Sequence, residues 1–446
     1  MFSFPFLSGL LRGGQSHMLS PQAFTFTPGQ ILAGEIVKLF PDQSALVKFG
    51  TVQVQAKLEI PISVGQKSWF QVQDKAEPIT LKILPQLGQV PQTPISSLVA
   101  GNSVHQSALA PMMTMFGLKK TDKNMEIIRF FIDHKLPMNK EALKVLSSLA
   151  HETSIPTEQL LHTSKAAILR GLPITSEVIT SAHHFLFNPP VHQQLKELIG
   201  HVSSLGNSVL KEELEGFLSK VIVSEPTGES LAQSLRSIGM ESERTLKTTL
   251  NNFLLSNQEG SINTEVPVPL DSLKSLLQKV LSLQQIPPSI QEKTETMIHQ
   301  ITGQQLFIQS DTTAQSPFLQ MLFQFPIELQ NQSSLVQAQM EGRKKANGGL
   351  DPENCRLLFF LQLQSLGETV VDVHIVNKLI SVVLYSHSPQ RNLLLDHKSG
   401  LVSALTNLGY SLASVSWKES QSQPKGMATG YSSLKPSSYQ GVDIKI

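Results

Sequence analysis

A multidomain α+β protein is predicted, and three observations carry that prediction. Apolar and polar residues alternate between 29 and 85, which marks short strands. Apolar stripes interrupted by prolines run from 113 to 315 and mark helices. Residues 318–420 mix strand-like runs with one well-capped helix. The expected architecture is a small N-terminal antiparallel β-barrel, a helical middle region, and a C-terminal α+β domain whose mixed sheet is covered by one helix. A length of 446 residues accommodates two to four such domains.

The N-terminal module spans 29–85. Val52, Val54, Ala56 and Leu58 alternate with Thr51, Gln53, Gln55 and Lys57, the period of a strand with one wet face. Ala45–Phe49 precedes it, and Gly50 supplies the turn. Pro41-Asp42-Gln43-Ser44 separates that pair from Ile31–Leu39, where Gly34 suits a bulge or a barrel corner. Ser68–Gln73 and Ile79–Leu84 complete five strands, so the barrel is SH3-like or OB-like. Residues 1–28 read as a flexible segment and 86–112, with Pro91, Pro94 and Pro111, as a linker.

The helical region 113–315 carries a degenerate repeat, Leu136-Pro137-Met138-Asn139-Lys140-Glu141 and Leu172-Pro173-Ile174-Thr175-Ser176-Glu177, 36 residues apart. Each copy places an N-cap, Asn139 or Thr175, before an acidic residue in the first helical turn. Helices precede both copies at Met125–Phe131 and Lys165–Leu169. Two copies are too few for a solenoid, so a compact domain of helical hairpins is expected. Amphipathic segments continue at Gln193–Ile199, Leu210–Val223, Glu243–Leu255 and Asp271–Leu283.

In the C-terminal domain the expected strands are Leu335–Met340, Leu357–Leu363, Val370–Ile375, Leu379–Tyr385 and Tyr410–Trp417, with Glu341–Glu353 as an exposed loop. Ser388-Pro389 caps a helix whose stripe is Leu394, Leu401, Leu405 and Leu408, and Gly409 stops it. Residues 421–446 read as a mobile tail.

Chemistry is sparse. Lys+Arg 36 against Asp+Glu 35 lacks the basic excess that a nucleic-acid binder uses to neutralise phosphates. The single cysteine, Cys355, precludes an intramolecular disulfide and reads as a small buried residue. His183-His184 points two rings to different helix faces, and His151-Glu152 lacks the second histidine of a zincin helix. Gly65-Gln66-Lys67-Ser68 ends like a Walker loop but leads into a strand, where no helix start cradles phosphate. Arg343-Lys344-Lys345 reads as a solvated loop tip; as a docking patch for an acidic partner it would act mainly on the encounter rate. No catalytic, cofactor-binding or metal-ligating constellation is predicted, so the chain is expected to be non-enzymatic. No run of 18 apolar residues predicts membrane insertion. Met1 to Leu11 lacks the basic leader of a Sec signal, so a cytoplasmic protein is expected.

The ordered set in the last quarter resembles the C-terminal domain of flagellar hook-length control proteins of the FliK type. It comprises Leu366-Gly367 leading into Glu368-Thr369-Val370-Val371-Asp372-Val373, then Ile380–Leu384, the helix Leu401 to Leu408, and Gly409-Tyr410 before Val415. Phe325-Pro326-Ile327 is similar to the family's opening strand. The likeness covers ~100 residues, and the chain is similar to Firmicute-type FliK-like proteins of unassigned role. It implies a type III export substrate-specificity switch without enzymatic activity. The implied partner is the cytoplasmic domain of a FlhB-type export-gate protein, with other export or hook proteins beyond it. Leu366, Gly367, Gly409 and Tyr410 are the motif positions implied for partner binding, and Gly367 and Gly409 also suit positive φ. Family members are themselves exported through the flagellar type III system. Two other readings stand beside this one. The first is a cytoplasmic scaffold with a FliK-like domain but no flagellar role. The second is a barrel that binds single-stranded nucleic acid, which needs aromatics on a basic face.

Overall fold

The structure, a computed structural model, describes residues 26–42, 44–49, 52–60, 62–74, 79–84, 103–225, 227–240, 272–283, 286–309, 318–329, 332–344, 350–363, 366–387 and 391–419. Several sequence expectations lie outside them: segment 1–28 up to residue 25, the linker up to 102, Gly50, the helix Glu243–Leu255, the cap Ser388-Pro389 and the tail 421–446. The described residues fall into two compact units, 26–221 with 232–309 and 222–231 with 318–419.

In the first unit, β1 (Ile31–Leu39), β2 (Ser44–Phe49), β3 (Val52–Leu58), β4 (Lys67–Asp74) and β5 (Ile79–Ile83) close a barrel in the order β1-β2-β3-β5-β4. β3 and β5 pair in parallel, so the barrel is not wholly antiparallel as the alternation had implied; it is the OB-like Greek-key alternative. Asp42 makes the β1–β2 turn, its carboxylate accepting from the Ser44 backbone N–H at 3.1 Å and the Ser44 hydroxyl at 2.6 Å. Gly34 is neither bulge nor corner. A Cβ there would stand 2.6 Å from the Phe49 ring, so glycine lets that ring fill the barrel, and the register shift falls between Ile36 and Lys38.

Among the described residues ten helices follow: α1 (Ser103–Phe116), α2 (Asp122–Asp133), α3 (Lys140–Glu152), α4 (Thr157–Leu169), α5 (Ser176–Phe187), α6 (Val191–Ser204), α7 (Ser208–Val221), α8 (Gly228–Ile238), α9 (Leu273–Leu281) and α10 (Pro288–Gln309). α1 corrects the linker reading of 86–112. Its residues Leu109, Met112, Met113 and Phe116 are buried, and that burial outweighs the cost of Pro111 inside the helix. The repeat is a helix stop followed by a helix start. Lys135 and Gly171 take φ of +53° and +66°, and the Leu136 and Leu172 amides return to Phe131 and Ala167 carbonyls at 2.9 Å each. The Asn139 and Thr175 side chains then accept from the Ala142 and Val178 amides. Barrel and helices share one core, because Ile31, Trp69 and Leu84 on the outside of the barrel are buried among Phe116, Phe131 and Leu143. Ile31 and Met138 also exchange two backbone hydrogen bonds.

In the second unit, β6 (Phe318–Leu329), β7 (Gln332–Lys344), β8 (Leu350–Leu363), β9 (Gly367–Val376), β10 (Leu379–Ser386) and β11 (Ser411–Glu419) form a six-stranded sheet in the order β11-β10-β9-β8-β7-β6. Only β10 and β11 are parallel, and the crossover between them is α11 (Arg391–Asn407). Asn377 and Lys378, both at positive φ, make the two-residue β9–β10 turn. The loop expected at Glu341–Glu353 is mostly strand, since β7 runs to Lys344 and β8 starts at Leu350. Its glycines misled the reading: Gly342 sits mid-ladder because a Cβ there would meet the Cys355 Cβ at 2.9 Å. Val223 joins the β6 edge, exchanging backbone bonds with Pro326 and Glu328 at 2.9 and 2.8 Å.

Candidate functional site

Val371, Val373 and Ile375 alternate along β9 and face α11, so the strand period fixes which face of the sheet is apolar. The helix brings Leu394, Leu401, Leu405 and Leu408 over the same face at helical spacing. The two surfaces do not close on each other. Between them lies a cavity of about 860 Å³, with Cys355 and Leu357 of β8 and Val415 and Trp417 of β11 in its walls. A dry, sealed void of that volume would cost about 20 kcal/mol, more than the whole stability of a typical domain. The space is instead an open groove: Leu357, Val371, Val373, Leu384, Leu401 and Leu405 are only partly buried, and Leu408 is 72% exposed.

The C-terminal end of α11 is a hydrogen-bonded stop. Gly409, at φ +80°, donates to the Thr406 carbonyl and Tyr410 to the Leu405 carbonyl, both at 2.9 Å. Tyr410 then turns into the groove, and its hydroxyl donates to the Pro352 carbonyl at 3.2 Å. Trp417 is anchored too, its indole N–H donating to the Ser386 hydroxyl at 2.8 Å. Cys355 is buried, and burial followed by the charge of Asp351 pushes its thiol up, so it stays protonated and unreactive at neutral pH. His397 and Lys398 are the ionisable nitrogen groups of the wall, and no acidic residue lines it.

Of the four family-motif positions, Leu366 and Tyr410 line the groove, whereas Gly367 at φ +67° and Gly409 shape the backbone beside them. The structure does not gather them into one constellation. Leu366 precedes the first residue of β9, while Tyr410 bonds to Pro352 beside the strand's far end, where Asn354 pairs with Val376. A ten-residue strand separates them, roughly 30 Å. The wall that the sequence reading missed is formed by Cys355 and Leu357 of β8 with Met340 of β7. Each of these residues reads singly as ordinary core, so no local signal in the sequence marks them as a groove wall.

The opposite face of the sheet holds an ion-pair cluster. Arg356 donates twice to the Asp372 carboxylate, at 2.9 and 2.8 Å, and His374 lies 3.2 Å from it. Burial alone would raise Asp372, but the His374 and Arg356 hydrogen bonds outweigh it and lower its pKa to about 2. Elsewhere, His183 bonds to Gln159, while His184 bonds to Asn188 and stacks on His299. The Ser181 hydroxyl lies 3.1 Å from His299 Nδ1. Ser181 is buried at the α5–α10 contact. Among the described residues no group of three or more His, Cys, Asp or Glu side chains could hold a metal, and no helix is long and apolar enough to cross a membrane. On the barrel, the outward positions of β2 and β3 are Leu46, Lys48, Gln53, Gln55 and Lys57, with no aromatic for base stacking, and Trp69 is buried against helices. Lys67 of the Walker-like stretch is in β4 and pairs with Glu35 at 3.8 Å. Arg343 is exposed near the end of β7, and Lys345 lies outside the described residues.

No family model and no solved structure matches the chain. A Bacillus subtilis (strain 168) protein named YlqG and described as uncharacterized is 29% identical over 195 residues, 44% of this chain. The chain spans only about a third of that relative's length, 32%.

Proposed function

We propose that this is a non-enzymatic FliK-like protein, acting in flagellar hook-length control by contact between its C-terminal domain and the cytoplasmic domain of a FlhB-type export-gate protein. The supporting observation is the open apolar groove between α11 and the sheet, which lies in the segment that resembles the family. Open apolar grooves are places where proteins take ligands or partners. The role favoured is the substrate-specificity switch in the cytoplasm. A ruler must be threaded and extended, and about 300 extended residues would reach roughly 1000 Å. The barrel and helices here are folded around closed cores that export would have to open. Burial of Phe49, Trp69 and Phe70 gives the nucleic-acid reading less support. Deletion of the gene in its own host tests the proposal through hook length measured by electron microscopy. Overlong hooks without filaments are expected; normal hooks with normal swimming would overturn it.

A further inference from the structure

We propose that the polar part of the α5–α10 contact is a proton-operated clasp, in which charging the stacked rings of His184 and His299 parts α10 from α5. The device belongs to the helical region and does not depend on the partner proposed above.

The two helices meet at backbone distance. A Cβ at Gly303 of α10 would collide with the Ser181 carbonyl and the Phe185 side chain of α5, so the pair has no slack there. Around that point the contact divides. One part is apolar, with the Phe185 and Phe307 rings 5.4 Å apart. The other part is polar. His184 and His299 stack with ring centroids 5.6 Å apart, and the Ser181 hydroxyl lies 3.1 Å from His299 Nδ1. Gln300 of α10 donates to the Pro189 carbonyl, just past the end of α5, at 3.0 Å. A hydrogen-bonded polar seam adds little net cohesion over an apolar one of the same shape, so this part is where the pair yields.

The seam resists protons until it opens. His183 donates from Nε2 to the Gln159 side-chain oxygen at 2.9 Å, which leaves Nδ1 as the bare nitrogen, buried and without a hydrogen-bond partner among the described residues. A proton arriving there becomes a buried donor with no acceptor. Burial first, and His299 second, hold His184 below its ordinary value, against the opposing Asn188 bond. The neighbouring helices add mostly positive charge. On α4, Arg170 sits over the Phe307 ring and Lys165 is half-buried; on α9, Lys274 donates to Gln305 of α10. On α6, Lys196 lies near His192, and Glu197 is already paired with Lys293 of α10. Glu158 of α4 lies beside His162, the other carboxylates, Glu177 on α5 with Glu292 and Glu295 on α10, are exposed, and so are all charged side chains of α3. Two stacked imidazolium rings repel. With no slack at Gly303, relief comes from parting the helices, as in other interfaces opened by charging clustered histidines.

Hydrogen exchange of the full chain, read by mass spectrometry at pH 7.5 and 5.0 and scaled to the intrinsic rate at each pH, tests the proposal. Peptides covering α5 and α10 are expected to lose protection at least tenfold at pH 5.0, while those of β8 and β9 change less than twofold. His184→Gln and His299→Gln each keep a hydrogen-bonding side chain that takes no charge, and either should cut the loss to threefold or less. Unchanged protection of α10 at pH 5.0 would overturn the proposal, as would a loss that both variants retain. A loss spread evenly over barrel, helices and sheet would overturn it too, as ordinary acid unfolding. If neither variant folds, judged by circular dichroism at pH 7.5, ring NMR of the unmodified chain decides. Imidazole signals that titrate in step with the loss of α10 protection support the clasp; histidines fully charged while α10 stays protected sink it.

Discussion

His183 and His192 are expected to make the helical region sensitive to acid. Burial, with lesser repulsion from His184 and Lys196 respectively, lowers both to about 4 from an ordinary 6.5. Neither Nδ1 has a hydrogen-bond partner. The unfolded chain therefore takes up these protons near pH 6.5, whereas the folded chain resists until about pH 4. The stability they contribute is complete above pH 6.5 and lost as pH falls toward 4, by at most on the order of 3 kcal/mol each. Urea midpoints followed by Trp69 fluorescence should drop between pH 7 and 4.5, and His192→Leu should flatten that slope. An unchanged midpoint would mean the imidazoles are already charged in the fold. Asp372 acts in a lower window: its folded pKa of about 2 lies below the ordinary 3.8, so its contribution disappears only as pH falls through that interval.

Helix stops, rather than helix bodies, are the repeated element of this chain. Lys135 and Gly171 occupy equivalent left-handed positions, but only one of them is glycine. A Cβ at Gly171 would meet nothing within 4 Å, so a substitution there changes backbone strain and little else. Lys135→Gly should therefore stabilise, and Gly171→Ala destabilise, by about 1 kcal/mol each. Thermal unfolding of the two variants checks the opposite signs; shifts of the same sign would show that the two stops are not equivalent. The caps that follow, Asn139 and Thr175, make the same bond to the third residue beyond each. The 36-residue spacing thus repeats a way of reversing the chain.

The two tryptophans fall in different compact units, Trp69 between barrel and helices and Trp417 in the C-terminal sheet. Because Trp69 belongs to the core shared by barrel and helices, those two parts should unfold together. Trp69→Phe and Trp417→Phe leave one reporter each, and the two fluorescence transitions in urea should have different midpoints. Coincident transitions in both variants would show that the units unfold as one. An isolated 29–85 fragment would expose Ile31, Trp69 and Leu84, so the barrel is not a freestanding module even though its own interior is closed.

Much of this architecture was legible in the sequence, because local rules act over a few residues. The alternation at 52–58, the caps at Asn139 and Thr175 and the stop at Gly409 all appear where period and capping chemistry place them, whereas the stripe expected to be buried on α11 is only partly covered and Leu408 is exposed. What sequence could not supply was long-range pairing and surplus. The parallel β3–β5 closure, the bridge from Val223 to β6 and the burial of Trp69 against helices join residues whose separation along the chain carries no signal. Pro111 inside a helix and Gly342 inside a strand went against local propensity, and packing with distant residues decided both. The groove belongs to that second class. Each residue of its wall reads as ordinary core, and only the assembled sheet and helix leave that core partly uncovered.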